Sequence, residues 1–274
     1  VNMDITSTST YQYCLMATQD SGVFNIEMTN VDVDWNKATT ISGGAFIRCG
    51  DSETKPQTVN FTATGCTIDV SDTKDAKGMH ICGGVSGAFE LKETDFITPG
   101  AATAMYTNNG SATVTFDEDC TFTRVYKVDE AEEFTTAVTD AKTSTEDVKI
   151  KLAANIELSS AIEINNTNGK SITIDGANGN GRYRLTISSS SRAIQVKQLS
   201  GNITFQNMNI VHSGSQMLLC LGENKYTEAT TKELTVKLVN MDITSTSTYQ
   251  YCLMATPPHQ NVLHEESQWY IHSK

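Results

Sequence analysis

Proline is scarce in this chain of 274 residues, with 4 copies, and aromatic residues make up 7%. With 18 Gly and 7 Cys, neither the glycine-proline content of a collagen nor the cysteine density of a disulfide scaffold is reached. Charged residues, at 19%, are too few for a highly charged disordered chain. Cations are also short, 20 Lys and Arg against 32 Asp and Glu, a formal charge of −12. A phosphate-binding surface needs a basic patch, so the sequence predicts no nucleic-acid partner, and attraction to a membrane surface is disfavoured for the same reason. No apolar run approaches the roughly 20 residues that cross a bilayer, and the N-terminus lacks a basic segment followed by an apolar one. The expectation is therefore no membrane insertion and an export signal that is absent or removed. What is present, 38% hydrophobic residues, suits one or two domains with a real core.

Seven cysteines leave at least one outside any intrachain disulfide. No CxxC occurs, and the nearest pair, Cys66 and Cys82, is 16 residues apart with no His placed to complete a zinc site. Small buried thiols are the simpler expectation.

Two repeats dominate the sequence. Residues 1–18, VNMDITSTSTYQYCLMAT, return letter for letter as residues 239–256, an offset of 238. Either the chain is a slice of a tandem array of units about that long, or it is a circularly permuted unit with overlapping ends. Both make 126–256 followed by 19–125 the natural order. A finer period has the form apolar-x-apolar, short turn, apolar-x-apolar. It runs through Ile203-Thr-Phe205-Gln-Asn207-Met208-Asn-Ile210, Val236-Lys-Leu238-Val-Asn240-Met241-Asp-Ile243 and Ile26-Glu-Met28-Thr-Asn30-Val31-Asp-Val33, with looser copies to Phe122. With 238 equivalent to zero, the anchors Phe205, Leu238, Met28, Ala63, Leu91 and Phe116 are spaced 33, 28, 35, 28 and 25 residues apart. Each copy is too short to bury its apolar face alone, and its period-2 alternation marks strands, so copies must stack and share a core. Asn30, Asn207 and Asn240 share one turn position, with Gly65 in the next copy. Such a bend needs residues tolerant of left-handed angles, and stacked amides can bond to one another.

This pattern resembles the right-handed parallel β-helices of the pectin-lyase-like superfamily over residues 1–256. The rung pattern, the aligned Asn and the stretch from Lys170 to Ile187 (KSITIDGANGNGRYRLTI) carry the resemblance. The fold expected is an all-β, right-handed parallel β-helix solenoid. One amphipathic helix interrupts it near 129–142, with Ala131, Phe134, Ala137, Val138 and Ala141 on one stripe and Asp129 followed by Glu132 as a capping-box-like start. Its expected role is a cap over an end rung. Domains of this type often begin with such a helix and a strand like Val148–Leu152, which places a unit start near Tyr126. Residues 1–125 then read as the later rungs of one unit and 126–256 as the helix and earlier rungs of the next or the same, permuted unit. Residues 257–274, with Pro257-Pro258 and three of the five His, read as a non-repeat tail.

Enzymes of this fold place acids, bases and calcium ligands on one outward face of neighbouring rungs. The best acidic row here is Asp242, or its duplicate Asp4, beside Asp32, with Asn209 below, Thr67 above and Asp34 on the margin. Rungs about 4.8 Å apart would make such carboxylates repel or hold a cation, so the expectation is no cofactor beyond a weak calcium site. No Lys or Arg is expected in that row. The Asn-Thr-Asp, Asp-Asp, Gly-His-Gly and Arg-Ile-Lys motifs that resemblance to galacturonan hydrolases would require are absent. A second row, Cys14, Cys49, Cys82, Cys220 and Cys252, reads as a thiol ladder on one strand. The sequence thus points to an extracellular or cell-surface module, a stalk or adhesin that meets carbohydrate or a host surface. A polysaccharide lyase or glycoside hydrolase and a self-associating filament protein are the alternatives. The duplicated rung also predicts end-to-end or domain-swapped homo-oligomers.

Overall fold

A computed structural model describes residues 3–6, 13–17, 22–35, 44–50, 55–73, 75–102, 104–179, 181–197, 202–221, 234–247, 253–255, 260–265 and 268–271. Among the described residues the chain forms a parallel β-helix of about seven turns with one α-helix, and it divides into two compact units, Val1–Val125 and Tyr126–Lys274. Among the described residues no helix is long and apolar enough to cross a membrane.

In the first unit each coil contributes one strand to each of three parallel sheets. One sheet stacks Met3–Thr6, Val31–Asp34, Thr67–Asp69, Asp95–Pro99 and Thr121–Val128, whose last three residues belong to the second unit. Another stacks Val23–Thr29, Gln57–Thr64, Ala88–Lys92 and Thr113–Phe116, and the third Tyr13–Ala17, Ala45–Cys49, Lys77–Ile81 and Tyr106–Asn108. Alternation turns every second side chain inward. The interior is therefore a set of columns: Ile26, Phe61, Phe89 and Val114 in one, Val33, Ile68, Phe96 and Phe122 in another. Phe61 and Phe89 are fully buried with ring centroids 6.0 Å apart, and Phe96 stacks on Phe122 at 5.9 Å. Removing such a ring from water is worth about 1.5–3 kcal/mol, and no coil gains that without its neighbours. The anchors Met28, Ala63, Leu91 and Phe116 stand in register, as the period implied.

The second unit repeats the logic with longer strands. Asp147–Leu152, Ile172–Asp175, Asn202–His212 and Leu234–Ser245 stack in parallel, aligning Ile150, Ile174, Phe205 and Leu238. Ile156–Leu158 and Gly181–Ile187 stack beside the latter halves of the long strands, aligning Ile156, Leu185, Ile210 and Ile243. A further sheet runs Ile162–Ile164, Ile194–Val196, Leu219–Leu221 and Leu253–Ala255. The α-helix spans Ala131–Ala141 and buries Phe134, Ala137, Val138 and Ala141 against the first coil of this unit, with Ala131 partly buried beside them. Its N-cap is Glu130, without a side-chain cap bond. Instead of the expected Asp129/Glu132 pairing, Glu133 reaches back one turn and its Oε2 accepts from the Asp129 N–H at 3.1 Å.

Residues 257–274, expected as a tail, include two strands, Gln260–Glu265 and Gln268–Ile271, both parallel to Leu234–Ser245.

Candidate functional site

A turn with left-handed backbone divides each long strand of the second unit and recurs between strands in the first. Asn207 and Asn240 sit at φ 51° and 50°, and in the first unit Asn30, Gly65 and Glu93 occupy the same turn at 52°, 62° and 48°. Left-handed backbone is accessible to Asn because its short amide compensates locally, and to Gly because it lacks a Cβ. Gly65 has a second reason: a Cβ there would lie 2.5 Å from Asn30 Oδ1. In the second unit the amides form a ladder. Asn240 Nδ2 donates to Asn207 Oδ1 at 2.8 Å, and Asn207 Nδ2 donates to Asp175 Oδ1 at 3.2 Å. Arg182 donates to Asn240 Oδ1 at the other end.

Asp175 anchors the ladder. Its carboxylate, 7% exposed, also takes Lys149 Nζ at 2.9 Å, Gln206 Nε2 at 2.9 Å and the Ala177 N–H at 3.1 Å. Burial pushes its pKa up, but the donors from Gln206, Lys149, Asn207 and Ala177 outweigh burial and hold it below the ordinary carboxylate value. Both oxygens are saturated, so Asp175 is a structural anchor and is poorly placed to exchange protons.

The acidic row is divided between the units. Of the two duplicates it is Asp4 that stands opposite Asp32, which in turn faces Thr67, while Asp34 lies between Thr6 and Asp69. Asp242 stands opposite Asn209 and Gln268. One chain carries two copies of that rung and each fills its own slot, so Asp242 and Asp32 are not register partners. The second unit also corrects the expectation of a row without cations: Arg184 faces Asn209 in register, and Arg182 Nη1 pairs with Asp242 Oδ2 at 3.0 Å. These arginines come from a tight antiparallel hairpin, Ala177–Asn178 against Gly181–Arg182, inserted at the turn. The rung period has no place for such an insertion. Asn209 Oδ1 is buried without a hydrogen-bond partner. Among the described residues no group of three or more His, Cys, Asp or Glu could hold a metal ion.

Among the described residues the thiols of the expected ladder are not register partners. Cys49 stands opposite Ala17 and Ile81, Cys14 opposite Phe46 by the same register, and Cys82 follows Ile81 by one residue. Cys220 faces Gln195 and Met254 in the other unit, and Cys252 lies outside the described residues. The strand pattern fixes alternation but not register, and a slip of one or three residues separates the thiols. Cys49 and Cys82 are fully buried thiols that form no disulfide; Cys82 Sγ donates to Gly50 O at 3.4 Å. Burial, with Cys82 nearby, pushes the Cys49 pKa up to about 12, so neither redox nor nucleophilic chemistry is favoured there.

Comparison with known proteins does not extend this picture. No family model, curated protein or solved structure matches the chain. Its functional reading therefore rests on its own geometry. Sequence reasoning missed Lys149, Asp175, Gln206, Arg182 and Arg184. Asp175 was within reach, since Ile172-Thr-Ile-Asp places it one rung before Gln206, immediately ahead of the turn.

Proposed function

We propose that this chain is a β-helix module of the pectin-lyase-like type from a repetitive extracellular surface protein, serving as a stalk or adhesin whose units stack in a tandem array. One observation carries the reading: the same 18-residue rung is seen paired from opposite sides. Its first copy, through Met3–Thr6, pairs with Val31–Asp34, and its second, through Met241–Thr244, pairs with Met208–Val211 on the other edge. Superposing the identical strands gives one continuous register, Arg184, Asn209, Asp242 or Asp4, Asp32, Thr67, Asp95. A rung that accepts both neighbours without a change of register is what an array needs at its junctions. The −12 charge keeps such a surface soluble.

The test is a rearranged chain in which 126–256 runs directly into 19–125. We expect it to fold and to melt in one transition at a higher temperature than the parent. A rearranged chain that is unfolded, or that melts in two separate transitions, overturns the array reading.

A second reading, a polysaccharide lyase of the same fold, is supported by Arg182 and Arg184 beside Asp242 and Asn209, an acid-base arrangement on an outward face. Arg182 is engaged by Asp242 and Asn240, which weighs against it as a base. Incubation with polyuronides, followed by the absorbance of unsaturated products, decides between the two.

A further inference from the structure

The second unit has a groove that neither the amide ladder nor the acidic row uses. It runs between the outward side of the Ala131–Ala141 helix and the segment Glu157–Glu163, with a cavity volume of about 580 Å³. A second hollow of the same volume shares Ala161, Ile162 and Glu163 with it and continues past Ser190, Ser191 and Arg192. Each lies within the roughly 300–1,000 Å³ typical of small-ligand sites. The groove exists because a helix, not another strand, covers this coil: Ile156–Leu158 and Ile162–Ile164 are the end strands of their stacks, and a cylinder against a pleated edge leaves a channel.

The channel has a definite chemistry. Its floor is Val138, Leu158 and Ile162, all 6–8% exposed. Its rims are hydroxyls and carboxylates. Thr135 Oγ1 and Thr139 Oγ1 donate to the carbonyls of Ala131 and Thr135, both at 2.8 Å, so what they offer a ligand is lone pairs. Exposed Glu132 and Glu157 stand on opposite walls without ion partners. Lys142, the cation in the lining of the first hollow, pairs with Glu163 at 3.6 Å, and Glu163 also takes Lys197, from outside the lining, at 2.5 Å; the second hollow adds Arg192. The first hollow, with Glu132, Glu157 and Glu163 against Lys142, thus has an excess of acceptors and of negative charge over an apolar floor. It repels polyanions and favours a ligand with apolar faces, several O–H donors and positive charge.

We propose that this groove binds oligosaccharides of amino sugars that carry free, protonated amines: pyranose C–H faces on Val138, Leu158 and Ile162, hydroxyls on Thr135 and Thr139, ammonium groups on Glu132 and Glu157. The assignment deepens the surface-module reading by naming what the module holds, and it stands or falls separately from the stacking test, which does not involve the groove.

The experiment is calorimetric titration of the full chain at low salt with the glucosamine tetramer, its fully N-acetylated counterpart and spermidine. The glucosamine tetramer is expected to bind at least tenfold more tightly than either control. Glu132→Gln and Glu157→Gln are each expected to weaken it several-fold, and Ala161→Trp, which fills the channel from an exposed position, is expected to abolish binding. All three positions are on the surface, so an unchanged melting curve certifies the variants. No heat with the glucosamine tetramer overturns the proposal, as does equal affinity for the N-acetylated tetramer. Spermidine binding as tightly shows charge attraction without saccharide recognition and overturns it too, as do variants that bind like the parent.

Discussion

Replacing Asp175 by Asn tests the anchor of the amide ladder with almost no change of shape. The Oδ1 position remains an acceptor for Asn207 and the Ala177 N–H, while the Oδ2 position becomes an amino group facing two donors, Lys149 Nζ and Gln206 Nε2, each 2.9 Å away in the parent. Hydrogen bonds to a charged group contribute about 1.5–3 kcal/mol each. The Lys149 side chain is 33% exposed, so its share is discounted for solvent screening, which leaves a loss of about 3 kcal/mol for the variant. In a unit of this size that is a fall of roughly 5–10 °C in Tm. The effect should also depend on pH with a fixed sign. Because the folded pKa lies below the unfolded one, the carboxylate's contribution is complete above about pH 3.9. It is lost as pH falls through the folded value. The difference between parent and Asp175→Asn should therefore be constant near neutrality and shrink at acid pH. Urea unfolding at several pH values measures it, with amide hydrogen exchange in Asn202–His212 to localise it to the second unit. A loss under about 0.5 kcal/mol, or one that does not shrink in acid, would refute the view that this buried carboxylate organises the stack.

Two further outcomes follow from the same geometry. Gly65→Ala places a Cβ 2.5 Å from Asn30 Oδ1 at a φ of 62°, so it should cost about 1–3 kcal/mol in the first unit, read by scanning calorimetry; an unchanged Tm would show that the turn gives way freely. Cys49, fully buried with its pKa at about 12, should resist a thiol-specific alkylating reagent at pH 8 in the folded chain and react within minutes in urea, with mass spectrometry of the Cys49 peptide as the readout.

The rungs were legible because inward alternation and a turn residue recur together, and because stacking is the only way such short strands can bury Phe61, Phe89 and Phe205. The helix was legible in its stripe, since Phe134, Ala137, Val138 and Ala141 fall on one side at helical spacing whatever they pack on. Less visible was anything that depends on register. Cys14, Cys49 and Cys82 sit in similar short strings, yet a register shift of a residue or more changes which of them are neighbours. The Arg182 and Arg184 contacts depend on a short hairpin, Ala177–Arg182, that adds length between rungs whose own pattern continues on either side. The groove was invisible for a different reason, because its walls belong to a helix and to two end strands with the turn between them, whose approach no local pattern encodes.

The hydrogen bonds from Arg182 through Asn240 and Asn207 to Asp175 all point the same way. A row of identical side-chain amides could be donated upward or downward with equal ease. Here a guanidinium at one terminus and a carboxylate at the other choose the direction, and each aligned dipole reinforces the next. Turning one amide over, or both together, would set like groups face to face at two junctions, so the row keeps its sense. The column thus has a built-in arrow, and a coil grafted onto it must present its amide in the matching sense.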